Sequence, residues 1–133
     1  MVHINTLHLS LNILAALTLY YGFFTKVKVS EWLACSFIIA PLISVTLLLS
    51  YTDLYWYNGL SGLLHASVAY FSIRMIRDKE YIFWVGLTIL WLKVLVETLS
   101  GYLGHEKMLI EMIIIFEAHL VGASIGTITA IIA

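Results

Sequence analysis

The segment AHLVGASIGTITA, residues 118–130, carries a small residue at every fourth position: Ala118, Gly122, Gly126 and Ala130. Residues four apart lie on one face of an α-helix, so these side chains form a stripe with little bulk. Stripes of this kind let two membrane helices approach closely, because little more than backbone separates them. The segment therefore predicts a membrane helix that packs tightly against a neighbour.

A second stripe predicts which helix that neighbour is. Gly62, Ala66 and Ala69 are spaced three or four apart within an apolar segment at about residues 59–73. We predict that the two stripes pack against each other. The glycines assigned to this packing are Gly59, Gly62, Gly122 and Gly126.

The composition places the whole chain in a lipid bilayer. Of 133 residues, 62% are hydrophobic and 11% are charged, which leaves too few polar side chains to cover a soluble globule of this length. The net charge of −1 is scattered and forms no basic patch, which argues against a nucleic-acid partner. The single cysteine, Cys35, excludes an internal disulfide. No linker or repeat divides the chain, so residues 1–133 are interpreted as one domain.

Five apolar segments predict five transmembrane helices. They lie at about residues 4–24, 32–50, 59–73, 81–99 and 109–132. Backbone groups in lipid must pair within their own segment, so the predicted fold class is an all-α membrane bundle. The third segment reaches roughly 22 Å as a helix, less than the hydrocarbon core of about 30 Å. Its outer end is therefore expected to begin inside the membrane, below a dipping loop at residues 51–58.

The basic residues of the connectors predict the orientation, because cytoplasmic loops are enriched in Lys and Arg. All but one of the connector cations fall on one side: Lys26, Lys28, Arg74, Arg77 and Lys79. The opposite side holds Lys107 alone. This assignment puts the C-terminus in the cytoplasm and Met1 outside. Since nothing upstream carries Met1 across, a first helix is expected to be missing from the chain.

Ser61 and His119 are the candidate nucleophile and base. Ser61 lies near the predicted outer end of its segment, in NGLSGLLHA at residues 58–66. His119 lies roughly 15 Å below the outer end of the last segment, at a similar depth. Each adjoins one of the small-residue stripes, so packing of the stripes would bring the two side chains within hydrogen-bond reach. A serine whose proton passes to a neutral histidine is the minimum machinery for acyl transfer.

The first segment supplies candidate donors for the oxyanion that develops in acyl transfer. Asn5, His8 and Asn12 fall at i, i+3 and i+7, on one polar face of an otherwise apolar helix. Polar side chains are costly in lipid and are expected to face the protein interior. The same residues could instead serve as hydrogen-bonding glue between helices.

His65 is a rival base, since it lies one turn from Ser61 on the same helix. A pair within one helix would leave the histidine of the last segment without a role. We therefore interpret His65 as a residue with a structural role or one that tunes the site. Lys93 and Glu97, four apart, are predicted to form an intrahelical ion pair. Glu117 precedes the candidate base by two residues, points to another face and is not expected to orient it.

Three motifs resemble those of the rhomboid intramembrane serine proteases: GLSG at 59–62, AHLVGASIG at 118–126 and HLSLN at 8–12. They are similar to the serine, histidine and oxyanion helices of that family. The resemblance implies Ser61 as nucleophile and His119 as general base, a dyad without an acid, with no metal and no cofactor. It also implies an oxyanion site formed by His8, Asn12 and the backbone N–H of Ser61.

Within that family, WYNGLSGLLHA at 56–66 and LKVLVETLSG at 92–101 most resemble the rhombosortases. The likeness implies a class of partner: exported bacterial proteins with a C-terminal Gly-Gly-containing sorting signal, a membrane helix and a basic tail, cut near the glycines. It implies a multi-pass protein of the bacterial inner membrane whose active site opens to the periplasm. The resemblance also implies a six-helix rhomboid core, of which this chain is expected to lack the first helix.

Two other functions stay open. One is an inactive rhomboid-like protein that binds membrane helices, although intact Ser61 and His119 argue against it. The other is a small proton or metal carrier that uses His8, His65, Glu97 and His119. Transport needs sites distributed across the membrane, whereas most of these polar residues gather near its outer third. A serine endopeptidase is therefore the expected function.

Overall fold

Five α-helices and no strand make up the described part of the chain. The computed structural model describes residues 6–23, 26–50, 60–103 and 110–133, apart from the side chains of residues 6–9, 11, 101–103 and 110–115. The helices are α1 (Thr6–Phe23), α2 (Val29–Ser50), α3 (Leu60–Arg77), α4 (Phe83–Leu103) and α5 (Ile110–Ile132). The all-helical class and the order of the five predicted segments are confirmed.

Two of the described helices are long and apolar enough to cross a membrane, over Val29–Ser50 and Phe83–Ser100. Large apolar side chains on both are exposed, among them Phe37, Leu49 and Leu92. Exposed apolar side chains in this number suit contact with lipid chains rather than with water.

α3 is longer than the sequence predicts. The apolar pattern stops before Arg74, but the helix continues to Arg77 and has 18 residues, or about 27 Å of length. The two arginines extend it because their guanidinium groups bond to neighbouring helices, at 3.0 Å from Glu31 and at 3.0 Å from the carbonyl oxygen of Ile131. The predicted end of the third segment at about residue 73 is therefore wrong, although the helix is still shorter than a hydrocarbon core of about 30 Å. The dipping loop predicted at residues 51–58 lies outside the described residues.

A Schellman turn ends α3. The N–H of Glu80 donates to the Met75 carbonyl at 2.9 Å and the N–H of Lys79 donates to the Ile76 carbonyl at 3.0 Å, which is the paired pattern of this cap. Lys79 adopts a φ of 66°, the left-handed conformation that favours glycine. The turn lets α4 return alongside α3.

α3 is the central helix of the described bundle, because it contacts each of the other four helices. Large apolar residues of the neighbours cover its flanks: Ile39, Ile43 and Leu47 from α2, and Leu87, Leu90 and Val94 from α4. α3 itself contributes small buried residues such as Ala66 and Ala69. This division of side-chain volume leaves room for α5 to lie directly on α3.

Ion pairs gather at the end of the bundle away from Ser61. Lys26 pairs with Glu80, and Arg74 pairs with Glu31 at 3.0 Å. These side chains are 36–42% exposed, so each pair contributes only about 0–1 kcal/mol. The ion pairs are informative about orientation, because they place two of the cations predicted to be cytoplasmic at the same end of the helices.

Candidate active site

α3 and α5 run parallel and touch backbone to backbone. A Cβ placed on Gly122 would overlap the carbonyl group of Gly62, and one placed on Gly126 would overlap that of Ala66. The matched positions rise together along the two helices, and their four-residue spacing is that of a small-xxx-small contact. The candidate nucleophile, next to Gly62, and the candidate base, one turn before Gly122, therefore lie at the same end of this pair.

Ser61 and His119 are both buried, with 4% and 6% exposure. His65 links them, because its Nδ1 donates to the Ser61 carbonyl oxygen at 2.7 Å and its ring stacks on that of His119 with centroids 4.0 Å apart. The hydrogen bonds that described residues make with His119 reach its Nδ1, and none of them joins its Nε2 to Ser61 Oγ. Catalytic hydrogen bonds are often long before substrate binds and tighten in the complex.

Glu97 of α4 lies on the Nδ1 side of His119. Its Oε2 is 2.9 Å from Nδ1. An ionised carboxylate only accepts hydrogen bonds, so Nδ1 carries the proton and the lone pair is left on Nε2. This is the tautomer that a general base needs. The resemblance implies a dyad without an acid, whereas the structure places the Glu97 carboxylate in hydrogen-bond contact with the histidine.

Lys93 joins these side chains into one cluster. Its Nζ lies 2.7 Å from Glu97 Oε1, 3.0 Å from His65 Nε2 and 3.4 Å from His119 Nδ1. The intrahelical pair with Glu97 is therefore present, but it extends to α3 and α5. The longest of the three contacts is the one to His119, so the closer carboxylate decides where the proton of that ring sits.

His65 uses both ring nitrogens within the cluster. Nδ1 donates to the Ser61 carbonyl oxygen, and Nε2 accepts from the Lys93 ammonium. A neutral imidazole has one donor and one acceptor, so no lone pair is left for the Ser61 hydroxyl. In this arrangement the His65 ring stacks on the face of the His119 ring, and both of its nitrogens are already engaged.

The cluster also has the composition of a metal site. Ligand atoms of His65, Glu97 and His119 lie within 4.8 Å of one another, and imidazole with carboxylate is a donor set that suits Zn²⁺. The Lys93 ammonium contacts all three side chains. A metal ion would have to displace this cation before it could bind all three.

A comparison with protein families identifies the group to which the chain belongs. The family model of the Rhomboid domain matches residues 1–133. The chain belongs to the rhomboid family. No curated protein and no solved structure matched it. Rhomboid family members are serine intramembrane proteases.

The side chains predicted to bind the oxyanion are described in part. Asn12 is buried, and it lines a cavity of about 330 Å³ together with Leu60, which directly precedes Ser61. Asn12 of α1 and the first residue of α3 therefore face the same cavity. The side chain of His8 lies outside the described residues, as do Asn5 and Gly59.

A groove runs between α1 and α4 of the rhomboid bundle. It encloses about 520 Å³ over α3 and reaches His65 and Lys93. Leu14 and Ile89, which line it from the two helices, are each 61% exposed. The groove therefore connects the surroundings of the bundle with the polar cluster.

Glu97 is the residue whose role in the rhomboid site the sequence does not indicate. The four-residue spacing predicts only its pair with Lys93. Two signals single out Glu97: a carboxylate within a membrane helix is expected to face a partner, and the residue lies in LKVLVETLSG, one of the stretches that resemble the rhombosortases. The partner on α5 is 22 residues away in sequence, and no spacing rule connects the two helices.

Proposed function

We propose that this chain is an active intramembrane serine endopeptidase with Ser61 as nucleophile and His119 as general base. The observation that carries the proposal is the 2.9 Å contact between Glu97 Oε2 and His119 Nδ1. Glu97 holds the Nδ1 proton, which leaves Nε2 able to take another. Burial of Ser61 and His119 at the same end of the α3–α5 pair supports the assignment.

The proposed reaction is acyl transfer to serine followed by hydrolysis. His119 Nε2 takes the proton of Ser61 Oγ as Oγ attacks the scissile carbonyl carbon. The C–N bond then breaks, and the imidazolium returns the proton to the leaving amine. Water, deprotonated by the same Nε2, releases the acyl group and restores Ser61. His8, Asn12 and the backbone N–H of Ser61 are the proposed donors to the oxyanion.

The proposed substrates are exported proteins with a C-terminal Gly-Gly-containing signal and a membrane helix, in line with the rhombosortase likeness of residues 56–66. The apolar groove between α1 and α4 is a path along which a helix in lipid could reach the cluster. Glycine has a low helix propensity, so a Gly-Gly segment adopts the extended backbone that serine attack requires at lower cost.

The proposed location is the bacterial inner membrane, crossed by all five helices as one domain. The site opens to the periplasm and the C-terminus is cytoplasmic. Lys26, Arg74 and Arg77 lie at the end away from Ser61, which supports this orientation through the positive-inside rule.

Co-expression with a Gly-Gly-tailed membrane substrate tests the proposal. Ser61→Ala and His119→Ala should each abolish cleavage, because either change removes activated attack, while membrane insertion stays intact. Ser36→Ala is the matched control: Ser36 is a serine of α2 whose Oγ is buried and has no hydrogen-bond partner among the described residues. Full cleavage by Ser61→Ala would refute the proposal. Cleavage by His119→Ala together with its loss in His65→Ala would transfer the base to His65.

A proton or metal carrier is the second candidate, and the close grouping of His65, Glu97 and His119 favours it. Ion uptake into vesicles separates the two functions. A carrier should lose uptake in Glu97→Ala and keep it in Ser61→Ala. The protease should show no ion flux above that of empty vesicles.

A further inference from the structure

Glu97 lies at the position of an acid that orients a catalytic histidine. We propose that Glu97 is a positioning residue that fixes the tautomer and orientation of His119, and that Lys93 holds Glu97 in place. The chain would then work with a Ser61–His119–Glu97 arrangement. This inference rests on the proposed protease function and deepens it.

The two oxygens of the Glu97 carboxylate have separate partners. Oε2 accepts from His119 Nδ1 at 2.9 Å, and Oε1 accepts from Lys93 Nζ at 2.7 Å. A carboxylate bonded through both oxygens is fixed in rotation as well as in position. The His119 ring is therefore held at its Nδ1 edge by Glu97 and on its face by the stacked His65 ring.

Among the described residues, Glu97 is the anion in contact with His119. The titratable groups facing the ring are Lys93 and Glu97 from α4 and His65 from α3. α2, which also packs on α5, contributes apolar side chains to that interface, such as Ile43. The positive charge that forms when His119 takes the Ser61 proton is thus opposed by one carboxylate at 2.9 Å.

A second role for Glu97 must be separated from positioning, because the same carboxylate also neutralises Lys93 within a membrane helix. Lys93→Met removes the cation that needs neutralising. In the double variant Lys93→Met/Glu97→Gln the charge balance is kept, while His119 still lacks its carboxylate. The double variant therefore distinguishes the two roles.

Cleavage kinetics give the first measurement. Glu97→Gln and Glu97→Ala should lower kcat by about 10²- to 10⁴-fold, with KM unchanged, and the double variant should stay as slow as Glu97→Gln. Glu97→Asp should recover part of the rate. Glu117→Gln is the matched control, since Glu117 is a second glutamate of a membrane helix and makes no hydrogen bond to His119 in the described part of the chain. Circular dichroism verifies that each variant is folded. If Glu97→Ala does not fold, the kinetic comparison uses the isosteric Glu97→Gln variant.

The tautomer of His119 gives a second measurement that does not depend on activity. ¹⁵N NMR of histidine-labelled protein, assigned with His119→Gln, should show the proton on Nδ1 in the wild type and a loss of that preference in Glu97→Gln. A wild-type rate in Glu97→Gln, or its recovery in the double variant, would overturn the inference. If Ser61→Ala still cleaved, the protease function itself would fail, and the NMR comparison would still test the contact between Glu97 and His119.

Discussion

Gly122→Ala tests the helix contact that brings the two halves of the proposed site together. The added Cβ would overlap the Gly62 carbonyl oxygen and would lie 2.8 Å from its carbon and 3.0 Å from its Cα. Carbon atoms in favourable contact are about 3.5–4.0 Å apart. Because the obstacle is backbone and not a movable side chain, α5 must shift away from α3 by roughly 1 Å.

The size of the effect follows from two opposing terms. Overpacking of this kind costs about 1–3 kcal/mol, and replacing a helical glycine by alanine returns about 0.5–1 kcal/mol. The difference spans about 0–2.5 kcal/mol, and because the overlap is with backbone, a net loss of about 1–2 kcal/mol in the free energy of unfolding is expected. A displacement of about 1 Å between catalytic groups can lower the rate about 10²-fold. We therefore expect a large loss of cleavage rate with only a moderate loss of unfolding free energy.

Two glycines outside the contact provide controls with the same chemical change. A Cβ on Gly86 would lie 3.9 Å from Ser72 Oγ, and one on Gly22 would meet nothing within 4 Å. Thermal unfolding in detergent micelles is measured for all three alanine variants, and the rate of substrate cleavage for Gly122→Ala and the wild type, because Gly22 and Gly86 line the groove proposed as the substrate path. Gly22→Ala and Gly86→Ala should be as stable as the wild type or slightly more so. If Gly122→Ala behaves like these controls, the backbone contact between α3 and α5 does not exist as described.

Two further predictions concern polar residues of the site. Asn12→Ala should lower kcat by about 10²- to 10³-fold, the usual effect of losing one oxyanion donor, and an unaltered rate in the double variant with His8→Ala would exclude both residues from the mechanism. Lys93→Ala should allow Zn²⁺ to inhibit cleavage, and a chelator should reverse this inhibition. The substitution removes the ammonium from among three side chains whose ligand atoms lie within 4.8 Å of one another. Equal zinc sensitivity of wild type and variant would contradict the second prediction.

The helical architecture follows from local patterns, and so it could be predicted. Each apolar segment satisfies its own backbone hydrogen bonds within lipid, so the presence and order of the helices need no knowledge of the neighbours. The end of α3 is different. Its last turn is held by hydrogen bonds from Arg74 and Arg77 to other helices and by the left-handed conformation of Lys79. A glycine usually marks such a helix end, and lysine in its place gives no sequence signal.

The sequence by itself determined which residues could carry the chemistry and which small residues could form a close helix contact. Only the tertiary structure decided the partners of His119. Glu97 is 22 residues from His119 along the chain, and the rotation of α4 about its axis depends on how Leu87, Leu90 and Val94 pack against its neighbours. Side-chain periodicity defines the faces of a helix, but the choice of the face that meets a given neighbour is made by the packing of the whole bundle.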